Sequence, residues 1–493
     1  MRVFQWCALG AALAATAALV GPAAAQEAAT QAQAAATTMQ SAALTLPFDP
    51  DVATRQWLDT MDQAATARSN SYFEGGYWIQ FVGPLLGFVF AFLFLQFGFA
   101  KNLRNWLEKT VKAYPLVVPG FALVYLVVAT IVTFAWDYWV GFVREHDYHL
   151  STQDFGPWFG EYMTGFVINM VIAMIGVTVL YLIIRALRRT WWIWGTIAAI
   201  TFAAILQIAY PVYIAPRFNT FTPMAESAQK TDILHLAQSN GVPADNVYVF
   251  DVSRQSHRVT ANVSGFLNTT RISLSDTLLE RASPAAVRQV MGHEIGHYVL
   301  QHTVSLLVMN SVLIAIVFAL ANIIFNSLSK GERWGIRDIS DPAGMPLFFS
   351  VVGFLFLVAT PIQNNITRFH EHQADMFGLN AAREPDGFAE SALLLSEYRK
   401  MEPTALEEWY FYDHPSGYDR IHMAMVWKAH EMAAGRIPMG PGGPPPGWRP
   451  RFVVVDEAAS ANAPAAPAAA TPPAQTPAAA QPAPAQSPAA PSN

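Results

Sequence analysis

His293-Glu294-Ile295-Gly296-His297 closes a polar segment, residues 216–302, that lies between two groups of long apolar runs. On a helix, residues four apart stack on one face, so the imidazoles of His293 and His297 can point at one ion. Glu294, one residue on and about 100° round the helix, reaches the water at the ion's open position rather than the ion itself. Zinc brings the pKa of such a water to near neutrality, and a carboxylate can take its proton as it attacks a peptide carbonyl. The five residues therefore read as the zinc-binding helix of a metallopeptidase, with one zinc per chain.

Outward from this helix the chain reads as a membrane protein. Its 493 residues are 53% hydrophobic and only 13% charged, against about 25% charged in a soluble domain. Runs long enough to cross a bilayer fall at 77–100, 116–136, 163–184 and 191–213 before the polar segment. Two more, 304–325 and 346–360, follow it, the last continuing as helix past Pro361. Tyr77, Trp78, Trp136, Tyr138, Trp191 and Trp192 at the run ends fit an interfacial belt. The fold class is therefore mainly α: a polytopic helical membrane protein of six or seven spans. The choice between six and seven lies in residues 1–25. Arg2, the apolar stretch 7–20 and Ala23-Ala24-Ala25 before Gln26 read as a secretory signal; if retained, the same stretch is a first anchor.

The domain organisation follows. Residues 26–75, rich in Ala, Thr and Gln, read as a loosely ordered linker with one helix near Trp57. A four-span membrane domain covers 76–214, the zinc segment 215–302 and two further spans 303–366. Residues 367–437 carry the remainder of the protease part, and 438–493 form a Pro/Ala-rich disordered tail to which no chemistry is assigned. The net charge of −6 argues against a nucleic-acid partner. With Cys7 as the single cysteine, disulfides and thiolate metal sites are excluded, so an ion must rest on His, Asp and Glu.

Orientation comes from the short loops. Lys101, Arg104, Lys109 and Lys112 follow the first span, Arg185, Arg188 and Arg189 the third, and Lys330, Arg333 and Arg337 the fifth; the loop after the second is acidic. The positive-inside rule places this basic set in the cytoplasm and the zinc segment outward, in an inner, cytoplasmic-type membrane.

Two histidines need a third protein ligand. Past the last span, the segment from Pro361 to Phe377 places Glu371 and Asp375 on one helix face, with Arg368 and Asn364 on or near it one and two turns earlier. Glu371 would complete a two-His, one-Glu site with the fourth position open to water. Asp375 would accept a hydrogen bond from a ligand imidazole and fix its tautomer. His370 and His372 compete with Glu371, but they point to other sides of the helix.

At this point the chain resembles the type I CAAX prenyl endopeptidases, integral-membrane zinc proteases of the gluzincin group. The resemblance rests on the His-Glu-x-x-His helix followed by Asn364-x-x-Thr367-Arg368-x-x-Glu371-x-x-Ala374-Asp375-x-Phe377. It is supported by Pro216-Arg-Phe-Asn-Thr-Phe-Thr-Pro223, by Arg271-Ile-Ser-Leu-Ser-Asp-Thr-Leu-Leu279, by Phe142-Val-Arg-Glu145 with Asp154-Phe155-Gly156, and by His414-Pro415 with Arg420-Ile421. It covers residues 77–428. The resemblance implies a gluzincin-like protease domain with a small β-sheet. Zinc would be held by His293, His297 and Glu371, with Glu294 as general base and Asp375 as orienter. His414 would help stabilise an oxyanion, on a loop braced by Arg420. It further implies that Thr260, Ala261, Asn262 and Val263 form an edge strand that binds substrate by strand addition. The family has Asn-Ala-Tyr where this chain has Thr260-Ala261-Asn262, which puts a side-chain grip there in doubt but not backbone pairing. It also has seven spans around a large chamber.

The expected partners are peptide or membrane-protein substrates and membrane lipids. Two alternatives stand beside this reading: a heat-shock-type membrane quality-control protease, and a non-catalytic chamber that binds peptides or lipids.

Overall fold

The computed structural model describes residues 46–265 and 270–452; the expected signal or anchor at 1–25 and the tail from 453 lie outside them. The N-terminal half holds α1 (Pro50–Leu58), α2 (Gln63–Gln96), α3 (Phe99–Val111), α4 (Tyr114–Tyr138), α5 (Phe155–Ala186) and α6 (Trp191–Ala209). Then come β1 (Phe221–Pro223), α7 (Ala228–Ser239), β2 (Val247–Phe250), β3 (Ala261–Ser264), β4 (Arg271–Ser275) and α8 (Asp276–Arg281). Last are α9 (Pro284–Val299), α10 (His302–Leu328), α11 (Met345–Ala382), α12 (Pro385–Leu395), α13 (Ala405–Phe411) and α14 (Gly417–Ala433).

Six helices among the described residues are long and apolar enough to cross a bilayer: α2, α4, α5, α6, α10 and α11, some with their flanking turns. The chain is a multi-pass integral membrane protein. Phe121, Tyr181, Trp191, Phe325 and Phe348 fill the space between these helices, while Ile131, Val167, Ile197, Val312 and Ile323 stay exposed, as residues against lipid are. Trp191 keeps its indole N–H satisfied inside the bundle by donating to Asn322 Oδ1 at 2.9 Å.

The loops after the first, third and fifth spans meet at one end of the bundle. Arg104 pairs with Asp341, Arg337 with Glu108, and Arg188 with Asp338 at 3.1 Å. The 27 residues of α10 lead from the metal helix to this basic end, a rise of about 40 Å. α11 returns. Pro361 sits within it and leaves the Leu357 carbonyl without its usual donor; the Tyr410 hydroxyl approaches that oxygen at 3.5 Å, and the helix runs on to Ala382.

The four strands lie in the order β1-β2-β4-β3. β2 and β4 are parallel, the outer pairs antiparallel, and Asn262 faces Ser273 in the β3–β4 register. Ile272 and Leu274 of β4 pack with Val287, Met291 and Ile295 of α9, so the sheet is what seats the metal helix. The Ser283 side chain caps α9 by accepting from Ala286 N–H, with Pro284 in its first turn.

Two expectations are corrected. Residues 46–75 are not loosely ordered: the helix expected near Trp57 is present as α1, and the polar first turns of α2 follow it. α1 begins with Pro50 after the Asp49 cap, and its small apolar anchor of Ala53, Trp57 and Leu58 is enough to dock it with Ile421 and Met425 of α14. Residues 438–452, expected within the tail, also fold back: Trp448 meets Trp57 edge-on at 4.9 Å and Phe452 is buried.

Candidate metal centre

The metal helix α9 and the carboxylate helix α11 cross at very short range, and small residues make this possible. A Cβ on Gly292 would lie 3.1 Å from the Gly378 carbonyl and from the Ala382 Cβ, and one on Gly378 would lie 2.9 Å from the His293 nitrogen. Gly292 and Gly296 flank the His-Glu-Ile triplet, and Ala374, Gly378 and Ala382 answer them at the same four-residue spacing. The motif therefore carries its own docking face, as small-residue helix pairs in membranes do.

This contact brings three donors together. His293 Nε2 lies 3.0 Å from His297 Nε2 and 3.3 Å from Glu371 Oε2, with His297 Nε2 3.6 Å from that oxygen. One donor atom from each of the three lies within 4.8 Å of the other two. Glu371 Oε2 is buried and makes no hydrogen bond. Two imidazoles and a bare carboxylate oxygen converging on one point fit zinc, leaving a fourth position open.

The surroundings orient these donors. Asp375 Oδ1 accepts from His293 Nδ1 at 2.8 Å, which directs Nε2 inward. Arg420 grips both oxygens of Asp375, Nε to Oδ2 at 2.9 Å and a terminal nitrogen to Oδ1 at 2.6 Å. Burial alone would lower the His293 imidazole, but its hydrogen bond to Asp375 and the Glu371 carboxylate beside it outweigh this and push it up to about 10. Glu294 projects from the same helix, partly buried; burial lifts its carboxyl above the usual range, against the two imidazoles.

His414 arrives from the loop before α14. Its Nε2 lies 3.3 Å from Glu371 Oε2 and its Nδ1 bonds Asp413 Oδ1 at 2.7 Å. The expected brace for this loop was Arg420, but Arg420 is committed to Asp375. Arg368 and Asn364 hold the approach to the loop instead. Arg368 donates to the carbonyls of Glu408 and Tyr412, and Asn364 to that of Tyr410 at 2.7 Å. Neither touches a donor to the metal point; their carbonyl partners lie on α13 and its end, which charge spacing along one helix cannot reveal.

One neighbour was missed by the sequence reading. Gln301, at φ 53°, turns the chain between α9 and α10 and brings His302 back onto His297, Nδ1 to Nδ1 at 2.9 Å. The His302 ring lies 4.8 Å from that of His370, whose Nε2 bonds Ser305 Oγ at 2.8 Å. The signal was present as a third histidine five residues after His297. It needs the turn at Gln301 to be read. His370 serves as part of this wall, and His372 is exposed.

Thr260, Ala261, Asn262 and Val263 lie along the outer strand of the sheet, on which α9 packs. Thr260 N–H donates to Ser275 Oγ at 3.1 Å.

Comparison with known proteins agrees with this geometry. Residues 224–428 match peptidase family M48, and residues 51–220 match the CAAX prenyl protease N-terminal family of five membrane helices. An uncharacterized metalloprotease of Bacillus subtilis is 28% identical over 349 residues, covering 70% of this chain and 82% of its own. CAAX prenyl protease 1 of Saccharomyces cerevisiae is 27% identical over 314 residues, 59% of this chain and 68% of its own. Among solved structures, S. mikatae Ste24p shares the fold, with a TM-score of 0.63 and 21% identity over 76% of this chain and 94% of that one.

Proposed function

Because the chain belongs to peptidase family M48 and is a membrane metalloprotease of it, we propose that it is a zinc-dependent endopeptidase acting on extended peptide segments. The observation that carries this is the bare Glu371 Oε2, buried beside His293, His297 and His414. His293, His297 and Glu371 would hold the zinc the family implies. Zinc bound there supplies Lewis-acid chemistry, polarising a peptide carbonyl and acidifying water.

The chain's own groups do the rest. Glu294 takes the proton of the attacking water and passes it to the departing amine. Burial raises its carboxyl above the usual range, which favours the form that carries the proton to be passed on. Asp375, fixed by Arg420, keeps His293 in the tautomer whose Nε2 faces inward. His414, a ring on a braced loop, is positioned to donate to an oxyanion. Ala261 and Val263 bind the substrate backbone by strand addition, which needs no particular side chain.

Substrates are taken to be membrane or secreted polypeptides, since the basic end is read as cytoplasmic and the metal end as outward. The protein named CAAX prenyl protease 1 is 27% identical, so prenylated substrates are the competing class. The test is Glu294→Gln in the purified protein. Zinc content should be kept while cleavage of an internally quenched peptide falls about 10²–10⁴-fold. Full cleavage by the variant would remove Glu294 from the chemistry.

A further inference from the structure

β3 is the sheet's outer strand, yet its outer side is only partly open. Ser275 N–H donates to the Thr260 carbonyl at 2.9 Å and Asn262 faces Ser273, so the even residues turn their backbone groups toward β4. Ala261 and Val263 therefore present theirs outward. Carried back along the chain, the same alternation turns Val259 and the His257 N–H outward, while the His257 carbonyl accepts from Arg281; Arg258 agrees with it, its carbonyl accepting from Thr277 Oγ1 on the inner side at 2.7 Å.

At the far end of this row the outward positions are occupied. The loop between α4 and α5 lies on them through a single antiparallel bridge, Ser151 to Ser256. His257 N–H donates to the Leu150 carbonyl at 3.1 Å and Thr152 N–H to the Gln255 carbonyl at 3.2 Å. Ser256 Oγ adds a bond to Leu150 at 2.8 Å and Thr152 Oγ1 one to Ser253 at 2.9 Å. Leu150 is buried, and the loop is tied to the membrane helix through His146, which bonds both Phe142 and Gln153 carbonyls. In this register the residue opposite Arg258 is His149. There the loop takes φ 56°, a left-handed conformation that a non-glycine residue seldom adopts, and leaves the edge.

Resting on the peptidase reading above, we infer that residues 149–152 are an end stop on the substrate-binding edge. An extended peptide pairs along Val259, Ala261 and Val263 and meets the loop at His149. A longer chain must abandon extended pairing there, losing one or two backbone hydrogen bonds, or displace the loop. A cavity of about 340 Å³, lined in part by Leu150, Ser151, Gln153, Ser256 and Arg258, lies where such a chain would turn aside. The loop would thus fix how many substrate residues fit on one side of the cleaved bond, and it couples that count to the second and third spans, which it joins.

The test is a length series. The shortest internally quenched peptide cleaved by the full-length protein in detergent is extended one residue at a time from each end. In one direction kcat/KM should stay level; in the other it should fall about tenfold across one or two added residues, the worth of one or two lost hydrogen bonds. Thr152→Pro deletes the N–H that joins the loop to Gln255, and should leave the shortest peptide's cleavage unchanged while flattening that fall. Should this variant fail to fold, the affinity of the same peptides for the Glu294→Gln protein gives the second readout, with a break at the same length. Equal kcat/KM at every length in both directions overturns the end stop and leaves the peptidase reading intact. Cleavage of no peptide by zinc-loaded protein overturns the peptidase reading instead.

Discussion

Helix α11 has a buried carboxylate just before its start and two more near its end, and the molecule uses them in opposite ways. Before its start, both oxygens of Asp341 are engaged: Arg104 and the Arg337 backbone and side chain on Oδ2, Ala343 N–H on Oδ1. Near its end Asp375 is closed as well, by His293 and Arg420. One turn earlier, Glu371 leaves Oε2 buried with no hydrogen bond among three imidazoles. A fully engaged carboxylate fastens one part of the chain to another. A buried bare one among imidazoles is a place for a cation.

The largest expected effect sets these two against each other. Asp341→Ala leaves Arg104 buried without its partner and should cost about 3–5 kcal/mol, read as a lower unfolding midpoint with zinc affinity unchanged. Glu371→Gln removes a charge beside His293 but no hydrogen bond to Oε2, and should cost the metal-free protein less than that. Equal destabilisation by both would erase the contrast.

A smaller effect is expected at His302. His302→Leu removes the acceptor behind His297 and should weaken zinc about 10–100-fold in a chelator competition, with His302→Asn intermediate. An unchanged affinity would make the contact mere packing. Smallest, taken one pH unit at a time, is the dependence on pH. In the metal-free protein His293 holds a proton up to about 10, and zinc must displace it. Affinity should therefore rise about tenfold per pH unit on the acid side of that value and level off above it. A flat profile between pH 6 and 8 would show that the proton is not there to displace.

The same contrast explains what the sequence could and could not reveal. His293 and His297, and Glu371 with Asp375, are legible because each pair sits four residues apart on one helix, a local relation. The six apolar helices are legible for a like reason, since the bilayer imposes length and composition on each separately. What stayed hidden depends on partners far along the chain. The α1 clamp rests on only three apolar residues meeting α14. Arg420 and Arg368 exchange expected duties because their partners are 45 and 40 residues away. The pairing of Ser151 with Ser256 joins two segments by a register that neither shows alone. Gly292 and Gly378 stand between these cases: visible as small residues, they acquire meaning only once α9 and α11 touch.

The most direct measurement is the zinc content of purified protein, by elemental analysis, for the wild type and for Glu371→Gln at equal folded fraction. One zinc per chain in the wild type and a large loss in the variant is the expected result. Undiminished zinc in Glu371→Gln, or none in an active wild type, would contradict the assignment of His293, His297 and Glu371 as the metal-binding set.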